Sequence, residues 1–106
     1  MDTNRQFDDI EKQKLNLETA QIAWLELQTH FAHGRLISVH PDLDLIEVAI
    51  NFARDNRTQI ESWLECQYVH PVTDEQAQQW HRQLASLWAV VVKPWVLVQA
   101  RDLDRG

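Results

Sequence analysis

A chain of 106 residues, with 44% hydrophobic and 25% charged residues, suits one folded domain and excludes a largely disordered protein. Its single cysteine excludes an internal disulfide and a multi-cysteine zinc site, and its two glycines are too few for a glycine-rich phosphate loop. The net charge of -6 arises between Asp42 and Glu75, where eight acidic residues oppose only Arg54 and Arg57. This acidic surplus disfavours binding to nucleic acid, whose phosphates it repels.

The two ends of the chain differ from its middle. Residues 1–14 are polar and predict a flexible N-terminal tail, residues 101–106 predict a C-terminal tail, and residues 15–100 are expected to form one globular domain. The N-terminus lacks the apolar stretch of a secretory signal. The longest apolar run, residues 87–92, is far shorter than the roughly 20 residues that cross a membrane. Together with the lone cysteine, these features predict a cytoplasmic protein without a membrane span.

The first predicted helix covers residues 18–33, and a predicted strand follows it. Apolar residues recur in the helix at three- and four-residue spacing, and Gly34 supplies a stop. Residues 35–40 are rich in β-branched and other apolar side chains and end before Pro41, which predicts a strand. The helical stripe consists of Leu17, Ala20, Trp24, Leu27 and Phe31.

Three further helices are predicted from their N-terminal caps. Each begins with a capping residue that is followed three positions later by Glu or Gln, the arrangement of a capping box. A short extended segment at residues 68–72, broken by Pro71, separates the last two helices. The caps are Asp44 with Glu47, Asn56 with Gln59, and Thr73 with Gln76. The expected apolar sides are Val48, Ala49, Phe52 and Ala53; then Ile60, Trp63 and Leu64; then Ala77, Trp80, Leu84 and Leu87.

Residues 88–99 form the most apolar segment. Valine occupies both odd and even positions in it, which predicts a strand. Pro94 lacks a backbone N–H and fixes φ near -65°, so we expect no two-residue hairpin of the kind that needs positive φ. The segment is therefore predicted as one kinked strand or an edge strand, and an edge strand can pair with another chain. Because tryptophan is enriched at binding hot spots, the candidate interface is Trp88, Lys93, Pro94 and Trp95.

These elements predict an α+β domain with four helices and a small sheet of two or three strands, in the order α-β-α-α-β-α-β. Its helix pair at residues 44–66 resembles a helix-turn-helix unit, so a winged helix that binds DNA is the second functional hypothesis. Arg54, Arg57 and Gln59 are the candidate contacts to DNA. Against it, the turn lacks glycine and the would-be reading helix carries Glu61 and Glu65 at outward positions.

Candidate catalytic and metal residues are sparse. His40, Asp42 and Asp44 form the most compact set of potential metal ligands, but Asp44 is already assigned as a helix cap. Cys66 and His70 are the nearest cysteine and histidine pair, but the residue before the cysteine is acidic, which disfavours a reactive thiolate. We therefore predict no catalytic residue, no metal site and no cofactor. A small enzyme with an unrecognised site is the third hypothesis.

Two sequence blocks are distinctive: Pro71-Val-Thr-Asp-Glu-Gln-Ala77 and Val90-Val-Val-Lys-Pro-Trp-Val-Leu-Val-Gln99. They resemble those of an uncharacterised bacterial family of short, stand-alone proteins that are classed as a domain of unknown function. The resemblance spans about residues 15–99 and implies a cytoplasmic bacterial protein without appended domains; it brings no activity or site residue. The leading hypothesis is a non-enzymatic protein-interaction or regulatory module that binds a protein partner or associates with itself through the C-terminal strand.

Overall fold

The computed structural model describes residues 19–100, so the tails predicted at residues 1–14 and 101–106 lie outside the described residues. Within the described part, the α+β class and the four helices are confirmed, whereas the sheet has five strands and is larger than predicted. No helix in this part is long and apolar enough to cross a membrane. The elements are β1 (Ala20–Ala23), α1 (Trp24–Ala32), β2 (Leu36–Val39), α2 (Leu45–Ala53), α3 (Arg57–Cys66), β3 (Val69–Pro71), α4 (Asp74–Gln83), β4 (Ser86–Val92) and β5 (Trp95–Gln99).

The strands form one mixed sheet in the order β1-β4-β5-β2-β3. β5 and β2 are parallel, and the other neighbours are antiparallel. Helices α1 and α4 cover one face, which we call the α1/α4 face, and α2 and α3 lie on the other, the α2/α3 face. The core of the α1/α4 face is Trp24, Leu27, Leu36, Val72, Ala77, Trp80, Leu87, Ala89, Val96 and Val98. That of the α2/α3 face is Ile37, Val39, Leu45, Val48, Ala49, Val69, Val90, Val92 and Leu97.

The first strand corrects the predicted element order. The helix expected from residue 18 begins only at Trp24, because residues 20–23 pair with β4 as a strand. The N–H of Trp24 still belongs to this ladder, since it donates to the carbonyl of Ala85 at 2.8 Å. The apolar spacing of Ala20 and Trp24 is compatible with a helix, but residues 20–23 instead form backbone hydrogen bonds with β4. The observed sheet has five strands with β1 at one edge, in place of the two or three strands expected for a winged helix.

The C-terminal segment is a hairpin, so the prediction of a single kinked strand is wrong. Lys93 and Pro94 form a two-residue turn with a cis peptide bond, and Val92 pairs with Trp95 across it. The prediction considered only turns with positive φ, but turns with cis proline at the third position form a separate class. Nor is β5 an edge strand, because it lies between β4 and β2. Both sides of its backbone already face neighbouring strands.

The three predicted capping residues are confirmed, and the reciprocal capping box is observed at Thr73. Asp44, Asn56 and Thr73 each accept a backbone N–H from the first turn of the helix that follows. At Thr73 the capping box is complete, because the side-chain carbonyl of Gln76 accepts the Thr73 N–H at 3.1 Å. The amide of Gln76 also donates to the hydroxyl of Ser38 at 3.1 Å. A local cap therefore also fixes the start of α4 against β2.

Two residues assigned to the buried stripe of α4 lie outside that helix. The helix ends at Gln83, and Leu84 follows with φ of 52° and a side chain that is 70% exposed. Leu87 is buried as predicted, but it lies in β4. The buried contact of α4 is instead made by Trp80, whose ring centroid lies 5.7 Å from that of Trp24. Both tryptophans are core residues, as predicted.

Gln99 is a polar residue in the core, with 1% of its surface exposed. Its side-chain amide donates to the carbonyls of His40 at 2.9 Å and Leu43 at 2.7 Å. Since a buried amide without partners is costly, these two bonds allow a glutamine at this depth. They also tie the loop that precedes α2 to the end of β5.

We predict that Gln99→Met lowers the free energy of unfolding by about 2 kcal/mol, since both carbonyls lose their donor while the side-chain length is kept. Urea unfolding followed by tryptophan fluorescence measures this. Gln78→Met, on the exposed side of α4, is the control and should change stability by less than about 0.5 kcal/mol. Equal effects of the two substitutions would contradict a structural role for the Gln99 amide.

We also predict that Thr73→Ala costs about 1 kcal/mol of stability, because the first turn of α4 loses its capping oxygen. The matched control is Thr58→Ala in the first turn of α3, where the threonine is exposed and inside the helix. That change should be neutral or slightly stabilising because alanine is the better helix former. Thermal or urea unfolding of both variants distinguishes loss of the cap from loss of a methyl and hydroxyl group in general.

Candidate functional site

A groove of about 510 Å³ opens on the α2/α3 face, between α3 and the ends of β2, β3 and β5. We call it the α3 groove. Its walls are mainly apolar, and its charged residues come from the α2–α3 turn and the first half of α3. The apolar side chains that line it are Ile37, Phe52, Ile60, Leu64, Val69, Pro71 and Trp95; Gly34, Asp55, Arg57 and Glu61 complete the lining.

The groove exists because α3 does not bury its apolar side. An amphipathic helix normally places that side in the core. In α3 no residue is buried: Ile60 and Trp63 are half-buried, and Leu64 is 43% exposed. The prediction that these three residues form a buried inner face is therefore wrong for Leu64. Ile60 and Trp63 do face the protein, but they are only partly buried. The neighbouring α2, by contrast, buries Leu45, Val48, Ala49 and Ile50.

Of the four predicted interface residues, Trp95 is the one that lines this groove. It begins β5, it is 37% exposed, and it lies on the same face as Leu97 because alternate strand residues share a face. Lys93 and Pro94 are both exposed in the hairpin turn. Trp88 is half-buried against the core of the α2/α3 face.

The two tryptophans of the predicted interface do not form one patch. Trp88 pairs with Gln99, whereas Trp95 pairs with Val92 at the other end of the hairpin. Trp88 and Val92 are four positions apart in β4, about 13 Å at the usual rise per residue. Val90 lies between them and is fully buried in the α2/α3 core. Trp95 therefore belongs to the groove and Trp88 to the core beside α2.

The rim of the groove carries more negative than positive charge. Asp55 and Arg57 form an ion pair, with 3.9 Å between the carboxylate and Nε, and Glu61 lies one turn further along α3. Both side chains of the pair are mostly exposed, at 77% for Asp55 and 81% for Arg57, so the pair contributes little stability. Glu65 extends the acidic side of the helix. The groove thus combines apolar walls with an acidic, solvated rim.

Ser38, His40 and His70 line a smaller concavity of about 260 Å³ on the α1/α4 face. Nδ1 of His70 donates to the carbonyl of Pro71 at 2.8 Å, and Nδ1 of His40 accepts the N–H of Asp42 at 3.0 Å. The Ser38 hydroxyl accepts a hydrogen bond from the side-chain amide of Gln76 at 3.1 Å. These polar groups are used within the fold and do not form a nucleophile and base pair.

The predicted ligand set of His40, Asp42 and Asp44 is brought together only in part. Nδ1 of His40 lies 3.8 Å from the Asp42 carboxylate, but the Asp44 carboxylate accepts the N–H of Ile46 as a helix cap. Within residues 19–100, no group of three or more histidine, cysteine or acidic side chains is placed to hold a metal ion. The two clustered ligands are too few for a zinc site, which takes three or four protein ligands.

Cys66 and His70 lie on opposite sides of the sheet. Cys66 is exposed at the end of α3, on the α2/α3 face. His70 follows Val69, which faces the α2/α3 core, so alternation directs the imidazole to the other face. The fold therefore separates the one thiol from the histidine nearest to it in sequence.

We predict that Leu64→Ala lowers the free energy of unfolding by about 1 kcal/mol or less, because Leu64 is already 43% exposed and loses little burial. Leu97→Ala is the matched comparison: the same change at a fully buried leucine should cost about 2–5 kcal/mol. Urea unfolding of both variants measures the difference. A cost at Leu64 close to that at Leu97 would mean that the apolar side of α3 is packed in solution and that the groove is closed.

The family resemblance is confirmed by the comparisons with known proteins. Residues 10–100 match the family described as "Protein of unknown function (DUF2288)". The curated proteins include none that matches the chain. A similar solved fold is the NMR solution structure of PA1075 from Pseudomonas aeruginosa, at 44% sequence identity and a TM-score of 0.76, covering 83% of this chain and 82% of that one. This chain therefore belongs to the DUF2288 family of proteins of unknown function.

Proposed function

We propose that this protein is a non-enzymatic interaction module whose α3 groove binds an amphipathic helix of a protein partner that carries lysine or arginine beside its apolar residues. The observation that carries the proposal is the unburied apolar side of α3, where Leu64 is 43% exposed and Ile60 is half-buried. A partner helix laid along the groove completes the burial that this amphipathic helix lacks in the free domain.

The apolar lining supports a partner held by side chains. Trp95, Leu64 and Ile60 approach the groove from two different elements, β5 and α3. Tryptophan is enriched at binding hot spots, and burial of the apolar side chains beside it against a partner stabilises the complex. A volume of about 510 Å³ accepts a few side chains of the partner, the pattern of a helix that docks by residues at three- and four-residue spacing.

Strand addition is a poorer fit to this end of the sheet. The nearest edge strand is β3, and its Pro71 has no N–H to donate. The Pro71 carbonyl already accepts Nδ1–H of His70 at 2.8 Å. The backbone of this edge therefore offers few hydrogen bonds to an added strand. The groove beside it offers apolar side chains and rim charges, which are the contacts that a docked helix uses.

The rim charge supports the choice of a basic partner. Asp55, Glu61 and Glu65 outnumber Arg54 and Arg57 by three to two along the α2–α3 turn and α3, and the whole chain carries -6. Opposite charge on the partner speeds association and discriminates between partners more than it raises affinity. The same rim repels the phosphates of DNA, which disfavours the winged-helix hypothesis at the helix that would read the bases.

The proposal is tested by titrating the ¹⁵N-labelled protein with a synthetic helical peptide that has leucines at three- and four-residue spacing and flanking lysines. Chemical shifts should change at Ile60, Leu64 and the indole of Trp95. A peptide with glutamates in place of the lysines should bind several-fold more weakly, since a few rim pairs contribute roughly 0.2–1 kcal/mol each. The Leu64→Gln variant should lose binding, whereas Leu25→Gln, at a 57% exposed position of α1, should retain it.

Four outcomes contradict the proposal. Shift changes that spread over the whole surface, or equal binding of the lysine and glutamate peptides, would show that the groove and its rim do not select the partner. Equal losses in the Leu64 and Leu25 variants would point away from the groove. Tighter binding of the small apolar probe 1-anilinonaphthalene-8-sulfonate than of the peptide, with shifts confined to the groove, would identify a small-molecule site instead.

A further inference from the structure

The outer edge of β1 is a row of backbone hydrogen-bonding groups with no strand beside it in residues 19–100. The N–H of Trp24 donates to Ala85 at 2.8 Å, and β1 pairs Ile22 with Leu87 in the same ladder. Because N–H and C=O groups alternate sides in an antiparallel strand, those of Ile22 point toward β4. The N–H and C=O of Gln21 and the N–H of Ala23 therefore point outward.

The two edge strands, β1 and β3, differ in their capacity to form backbone hydrogen bonds with an added strand. The β3 edge contains Pro71, which has no N–H and whose carbonyl already accepts the His70 side chain. Proteins often protect edges in this way, or with charged side chains, against unintended pairing. β1 has neither device, since its residues are Ala20, Gln21, Ile22 and Ala23. Within the described residues, β1 is the edge that remains open to pairing, and it contains neither charge nor proline.

We propose that β1 pairs antiparallel with β1 of a second copy of this chain, about a two-fold axis that passes beside Ile22. In this register Gln21 of each copy lies opposite Ala23 of the other, and the outward N–H of Ala23 donates to the Gln21 carbonyl across the axis. Identical antiparallel strands satisfy one another in this way, which is the geometry of an isologous dimer. The proposal concerns an edge remote from the α3 groove and stands independently of it.

The side chains of β1 favour a second copy of this chain. Ala20, Gln21 and Ala23 are exposed, small or neutral, and place no like charges opposite one another in a chain whose net charge is -6. Ile22 is half-buried beside the core of the α1/α4 face. In the proposed register the two Ile22 side chains face each other in a non-hydrogen-bonded pair, the closer kind of cross-strand pair, which extends that core across the interface.

A pair of four-residue strands buries little surface, so the dimer belongs to the weak end of specific interfaces. We therefore expect association that depends on concentration, with monomers at low concentration and dimers near millimolar. Self-association is thus retained from the sequence hypothesis but moves from the C-terminal strand to β1.

Sedimentation velocity over a concentration series, with Ala23→Pro beside the unmodified full chain, tests the dimer. Ala23 has φ of -66°, close to the value that proline fixes, and its N–H points away from β4, so the substitution removes only outward donors. The dissociation constant should rise by about tenfold or more, because each copy loses one intermolecular hydrogen bond. Ala23→Ser keeps the N–H and should dimerise like the unmodified chain.

Amide hydrogen exchange of the unmodified chain provides a second readout that does not depend on any variant. The Gln21 and Ala23 amides should be protected only at concentrations where sedimentation detects the dimer. Protection of both amides in a monomer would show that other residues of the same chain cover this edge, which overturns the proposal. A chain that stays monomeric at every concentration, or a dimer that Ala23→Pro leaves intact, would also overturn it.

Discussion

The β4–β5 hairpin is the constraint on which the rest of the structure depends. It occupies the middle of the sheet, and Val90, Leu97 and Val98 are fully buried there. Because both of its faces are covered, β1, β2 and all four helices take their positions from it, directly or through a neighbouring strand. The same placement removes its backbone from the surface. Within residues 19–100 the edges of the sheet are therefore β1 and β3, and the two strands of the hairpin reach solvent through side chains such as Trp95.

The two faces of this sheet are covered unequally, and the inequality generates the candidate site. On the α1/α4 face, Trp24 and Trp80 pack ring against ring and the start of α4 is tied to β2 through Gln76. On the α2/α3 face, α2 packs on the central strands of the sheet. Helix α3 packs beside the edge strand β3 and has no buried residue. Leu64 is left in solvent beside Trp95, so a groove opens where a fully packed domain would have core.

Much of this arrangement is predictable from local signals, and the site is predictable only in part. The caps at Asp44, Asn56 and Thr73 act within a few residues of chain, so sequence spacing reveals where three helices begin. Trp95 is recognisable as an interface candidate from its residue type and its place beside Pro94. Leu64 is not, because its three- and four-residue spacing is the same whether an apolar stripe faces a core or a groove.

Sequence alone determined the class of the domain, its four helices and the acidic character of the α3 region, since propensity, capping and charge are properties of short segments. Only the tertiary structure decided which strands are edges, that residues 20–23 pair with β4 as a strand, and that residues 88–99 fold back at Lys93–Pro94. These outcomes depend on pairing between residues far apart in the chain. A segment's own side chains carry little information about the neighbour that will satisfy its backbone.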